Sequence, residues 1–180
     1  MNRQKSTLYV VQAAVIAALY VVLTVGQEML LPSTTSMAVQ FRASEALTML
    51  AVFTPAAIPG LTVGCLVSNL LNVGTLPIDM VVGSLASFMA AMTMYWLRKV
   101  RIFGLPVPAA IMPALFNGVI IGLEIEIFFI EGPFNFVSFL IQGGLVALGE
   151  LGVCIVLGLP LAALVEKIGL DRRVFKTKTI

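Results

Sequence analysis

Asn117 and Glu124 stand seven residues apart in a stretch that is otherwise almost wholly apolar, and Glu150 stands in another such stretch. Seven residues make about two helical turns, so Asn117 and Glu124 share one face of a helix. Glu126, two residues beyond Glu124, points elsewhere, towards an external surface. Gly118 and Gly122 flank the shared face and leave room for a ligand or a second helix. A carboxylate accepts hydrogen bonds, while a carboxamide both donates and accepts them. Glu124, Glu150, Asn117 and Asn69 therefore suit a small, flat solute that presents N–H donors or a positive charge beside a carbonyl. No Lys or Arg lies close in sequence to Glu124 or Glu150 to neutralise it. Arg42 and Glu45, three residues apart, are able to pair along one helix; with Asp79 they fall near the ends of apolar stretches. There such groups also serve simply to bond helices together or to reach the headgroups.

The surroundings of these residues set their cost. With 59% apolar residues, 11% charged residues and a mean hydropathy of +1.05, the chain is no ordinary soluble domain, which carries roughly 25% charged residues. Its 180 residues make one transmembrane domain, 1–180, with room for about six spans across ~30 Å of hydrocarbon. A charged side chain at the bilayer centre costs about 2.5–3.5 kcal/mol on insertion scales, so the acids inside apolar stretches require a reason.

Ten of the eleven basic residues fall in three groups: Arg3 and Lys5; Arg98, Lys99 and Arg101; and Lys167, Arg172, Arg173, Lys176 and Lys178. Basic loops mark the cytoplasmic side. The pattern predicts an all-α integral membrane protein with six transmembrane helices and both termini cytoplasmic. The helices fall near residues 7–25, 41–53, 61–73, 79–97, 106–130 and 136–165. Residues 26–37, with Pro32 and a Ser/Thr cluster, read as an external loop, and Thr54–Gly60, with two prolines, as a turn. Six crossings put all three basic groups on one side. They also put Arg42, Glu45, Asn69, Asp79 and Glu124 towards the outside, with Asn117 and Glu150 near mid-membrane, which predicts a cavity open outwards.

Several classes fall away. The basic residues orient the chain and call for no nucleic-acid partner. Cys65 and Cys154 do not form a spaced metal set and read as two small buried apolar residues. The absence of histidine removes His-containing zinc sites and His-based acid–base catalysis. No phosphate loop is present, so the chain does not hydrolyse ATP by that route. The N-terminal apolar run is long for a secretory signal and lacks a small-residue cleavage site, so it reads as the first span. No inverted repeat marks a self-sufficient secondary carrier. A proton-coupled carrier relaying through Glu124 or Glu150 remains the rival transport reading. An intramembrane enzyme would need a nucleophile–base arrangement that the sequence does not offer. Ala13, Ala14, Ala17 and Ala18 form two overlapping Ala-x-x-x-Ala spacings on the first helix, which let helix backbones approach closely in lipid.

Residues 39–48 (VQFRASEALT) and 53–61 (FTPAAIPGL) resemble the signature of the QueT family, as do Gly64-Cys65-Leu66 and Asn69-Leu70-Leu71. Asp79 with residues 83–86 (GSLA), Gly122-Leu123-Glu124, Gly149-Glu150-Leu151 and residues 158–161 (GLPL) continue the resemblance in order along nearly the whole chain. The chain departs from the family pattern at residues 72–77 and at Gly118, where the family carries a larger residue. The resemblance implies a substrate-binding S component of an energy-coupling factor (ECF) transporter. Such a component captures a queuosine precursor, preQ1 above preQ0, from outside a prokaryotic cell, with another small heterocycle or a vitamin as the alternative cargo. It docks on a transmembrane coupling protein and two ATPases, and those partners use the ATP and Mg. The family's docking motif maps onto Ala13/Ala17 or Ala14/Ala18. With preQ1 as ligand, one of Glu124 and Glu150 takes the guanine edge and another acid takes the aminomethyl group. Asn117 and Asn69 complete the bonding, and Gln40, Arg42 and Glu45 line the outer entrance.

Overall fold

The computed structural model describes residues 3–32, 41–72 and 76–175. Among them the named elements are all helices: α1 (Arg3–Leu30), a 3-10 helix (Ala43–Val52), α2 (Ala57–Leu71), α3 (Pro77–Leu97), α4 (Val107–Glu124), α5 (Phe136–Val153), α6 (Leu159–Lys167) and α7 (Leu170–Arg173). A π-helical turn, Ile125–Phe129, extends α4, and a second, Cys154–Gly158, joins α5 to α6. Four helices are long and apolar enough to cross a membrane: Lys5–Leu30, Pro77–Leu97, Val107–Phe129 and Phe136–Lys167. Ala43–Val52 and Ala57–Leu71 are apolar but shorter.

Three boundaries differ from the sequence reading. The first helix does not stop before residue 26 but runs on to Leu30. Its continuation is held by Gln27, whose amide donates to the Phe41 carbonyl and accepts from Ala43 N at 2.7 Å. The expected second α-helix is a 3-10 helix, buried at every position from Ser44 to Val52. At about 2 Å of rise per residue it covers more depth than an α-turn would, and its poorer backbone geometry is tolerated because protein surrounds it. The 54–60 turn ends early, because α2 already starts at Ala57. Pro59 lies in the first helical turn, where no backbone N–H is needed.

Small residues set the helix spacing. A Cβ at Gly60 would come within 2.8 Å of the Ala13 carbonyl, and one at Gly64 within 2.8 Å of Tyr20 Cβ, so α1 and α2 touch backbone to side chain. Gly118 and Gly122 serve a helix rather than a ligand: a Cβ on Gly122 would lie 2.6 Å from Gly143 Cα of α5. Ala86 and Ala90 of α3 and Ala109, Ala110 and Ala114 of α4 are likewise buried. Such contacts replace the hydrophobic drive that lipid removes. The core clusters around the 3-10 helix, with Tyr20, Met49, Leu61 and Met94 fully enclosed. Val10, Val22, Leu148 and Val156 are instead exposed on the outside, an outer surface suited to hydrocarbon.

The described basic groups gather at one end. Arg101 pairs with Glu166 at 2.6 Å. Gln12 bridges Thr54 (2.9 Å) and the Val174 carbonyl (2.7 Å), and Phe53 stacks on Phe175. These contacts bring the start of α1, the Arg98–Arg101 turn and α7 to the same end of the bundle. Lys176 and Lys178 lie outside the described residues.

Candidate functional site

One cavity of about 160 Å³ lies inside the bundle, and Arg42, Glu45, Asn69, Asp79, Asn117, Glu124 and Glu150 all line it. Four carboxylates thus face one guanidinium. Gln40 lies outside the described residues.

Each element delivers its residues by helical spacing. On α2, Cys65 and Asn69 are one turn apart. On α3, Asp79, Gly83 and Ser87 recur every four residues along one face. Asp79 Oδ2 accepts from Leu76 N at 2.8 Å, capping the start of α3, and Asn69 Nδ2 donates to the Asp79 carbonyl at 3.2 Å. On α4 and its π-turn, Asn117, Ile121, Glu124, Ile125 and Phe129 supply one polar and one apolar wall. The π-turn begins directly after Glu124, and the second π-turn begins four residues after Glu150. Such bulges recur at functional sites.

The carboxylates are held by one oxygen each. Asn117 Nδ2 donates to Glu150 Oε1 at 2.9 Å, and Tyr20 donates to Glu45 Oε1. The second oxygens, Glu150 Oε2 and Glu45 Oε2, are buried without a protein partner, as is Glu124 Oε1. Arg42 is close enough for its charge to act on Glu45 and Glu150. Asp79 lies within hydrogen-bonding reach of Glu124. Buried carboxylates with idle oxygens carry a desolvation cost that a ligand with N–H donors would offset.

Two positions correct the sequence reading. Glu126 does not face an external surface: it is buried, and its Oε1 accepts from Asn135 N at 2.8 Å, tying the α4–α5 connection. Glu45 does not sit at an entrance, because the 3-10 helix carries it inward to Tyr20 and Glu150. The alanines divide. Ala13 and Ala17 lie on the side of α1 that packs on Gly60 and Gly64, whereas Ala14 and Ala18 are exposed on the opposite side.

Sequence reasoning missed the clamp behind Glu45. Tyr20, Thr24 and Gln27 form one stripe on α1, and Thr24 hydrogen-bonds Ser44 at 2.7 Å. Their spacing of four and three was a visible signal. So was the series 79, 83, 87 that adds Gly83 and Ser87 to the lining.

An apolar-surfaced helical bundle with an acid-lined internal cavity is the build of a membrane protein that handles a small polar molecule. A family model described as QueT transporter matches residues 10–167. The chain therefore belongs to the QueT transporter family, in agreement with the resemblance read from its motifs, and is a transport protein rather than an enzyme. No curated protein and no solved structure matches it.

Proposed function

We propose that the chain is the S component of an ECF transporter and binds preQ1, a 7-deazaguanine with a cationic aminomethyl arm, inside the acid-lined cavity. The observation that carries this reading is the lining itself, four carboxylates and two carboxamides around about 160 Å³ in a QueT-family chain. The N1–H and 2-amino donors of the base match carboxylate acceptors, its carbonyl matches an amide or guanidinium donor, and its arm matches an acid. The cavity is smaller than the roughly 300 Å³ at which drug-sized pockets begin, which favours a single small heterocycle over a larger vitamin.

In this reading the four long helices and the two shorter apolar ones make six crossings of the cytoplasmic membrane of a prokaryotic cell. The gathering of basic residues at one end favours cytoplasmic termini. The ligand enters from the opposite end. A transmembrane coupling protein docks on the exposed Ala14/Ala18 face of α1, and two ATPases supply ATP and Mg chemistry.

Titration calorimetry of the purified chain with preQ1, guanine and riboflavin tests the substrate. Selective binding of preQ1 is expected. Preference for either comparator would replace preQ1 with that ligand class.

A further inference from the structure

The cavity lining is sorted by depth into two unlike layers. Asp79 is the third residue of α3, and Glu124 closes α4. Asn69 bonds the Asp79 backbone, so these three mark the end away from the Arg98–Arg101 turn. Asn117 lies seven residues before Glu124, about 10 Å deeper at 1.5 Å per residue. Glu150 meets Asn117 there, and Ser87, two turns below Asp79, points into the same level. Glu45 belongs to this inner layer through its bond to Tyr20, which packs on Gly64 below Asn69, and Arg42 lines the same cavity with its charge acting on Glu45 and Glu150.

The layers differ chemically. The inner one mixes acceptors and donors: two carboxylates, each with one idle oxygen, an amide and a guanidinium. That set reads an edge that both donates and accepts. The outer one presents two carboxylates and an amide, Asp79, Glu124 and Asn69. Asp79 and Glu124 neighbour one another there, and the charge of Arg42 also acts on Glu124. Glu124 is 4% exposed with Oε1 unpartnered, so it is a buried acceptor aimed into the cavity. Two adjacent carboxylates cannot both ionise cheaply without a cation between them.

We propose that the site binds its ligand in a fixed orientation, with the donor–acceptor edge inward on Glu45, Glu150, Asn117 and Arg42 and the positive group outward between Asp79 and Glu124. This rests on the reading of the cavity as the substrate site. The two layers stand about 10 Å apart, the length of a bicyclic base with a short arm, so one small molecule spans both. Discrimination for charge then belongs to the outer pair alone.

The test titrates two probes that differ only in the arm: 7-aminomethyl-7-deazaguanine, which is cationic, and 7-cyano-7-deazaguanine, which is neutral. Proteins are the wild type, Asp79→Asn, Glu124→Gln and Glu150→Gln. Asn at 79 still accepts from Leu76 N, and retained binding of the neutral probe reports an intact fold. The outer variants are expected to lose about tenfold or more in affinity for the amine while holding the nitrile within about twofold, so charge preference collapses. Glu150→Gln is expected to weaken both probes by a similar factor. Equal loss of both probes in the outer variants, or amine-selective loss in Glu150→Gln alone, overturns the orientation. Failure of the folded wild type to bind either probe overturns the substrate reading instead, and the orientation with it.

Discussion

Asn117 Nδ2 holds Glu150 Oε1 at 2.9 Å across the α4–α5 contact and leaves Glu150 Oε2 buried with no protein partner. One oxygen is fixed and the other is offered. The same division recurs at Glu45, where Tyr20 takes Oε1 and Oε2 is left over. A carboxylate presented this way is oriented before a ligand arrives, which spares the ligand part of the ordering cost.

Glu150→Gln and Glu124→Gln each keep the shape of the side chain and remove a charge. Each is expected to weaken preQ1 binding by about tenfold or more, the worth of a hydrogen bond to a charged group. Calorimetry reads the effect directly. Unchanged affinity in both variants would remove these residues from the site.

Tyr20→Phe deletes the donor to Glu45 and nothing else. The buried carboxylate then loses its partner, at a cost of about 1–3 kcal/mol. Thermal unfolding in detergent is expected to show a lower Tm, together with weaker ligand binding because Glu45 is no longer oriented. A variant with wild-type Tm and wild-type affinity would show that the clamp has no role.

Gly122→Ala places a methyl 2.6 Å from Gly143 Cα, whereas a methyl at Gly144 meets nothing within 4 Å. Forcing α4 and α5 apart is expected to cost about 1–3 kcal/mol and to disturb the Asn117–Glu150 bond. Gly144→Ala is the control, and equal Tm values for the two variants would contradict the close helix contact.

Ala14→Leu and Ala17→Leu separate an outer face from an inner one. Ala14 is exposed, so its enlargement is expected to leave stability and ligand binding unchanged while abolishing transport by the assembled system. Ala17 faces α2 beside Gly64, where a Cβ at Gly64 would lie 3.2 Å from the Ala17 carbonyl, so leucine there is expected to lower Tm. Full transport by a stable Ala14→Leu protein would rule out docking on that face.

Lys99→Cys and Glu131→Cys probe the two ends of the bundle, because native Cys65 and Cys154 are buried. A membrane-impermeant thiol reagent added to intact cells is expected to label position 131 and spare position 99. The reverse pattern would invert the proposed topology.

Much of the site is legible in the sequence. An acid or amide within an apolar run is expensive in lipid, so Asn117, Glu124 and Glu150 drew notice by position alone, and seven-residue spacing put two of them on one face. The length and composition of the runs gave the helical class and located most of its elements. Other features depended on partners distant in the chain. The extension of α1 to Leu30 needs Gln27 to find Phe41 and Ala43. The 3-10 form of Ala43–Val52 exists where surrounding protein takes up a helix that lipid would not.

The sequence by itself determined which residues are costly in a membrane and how they alternate along each helix, because hydropathy and periodicity are local properties. Only the tertiary structure decided that Glu45 lies inward against Tyr20, that Glu126 ties a connection, and that Asp79 meets Glu124 while Asn117 meets Glu150. Those pairings follow from helix rotation and depth. Both are fixed by contacts such as Gly122 on Gly143, between residues whose separation in the chain carries no record of their meeting.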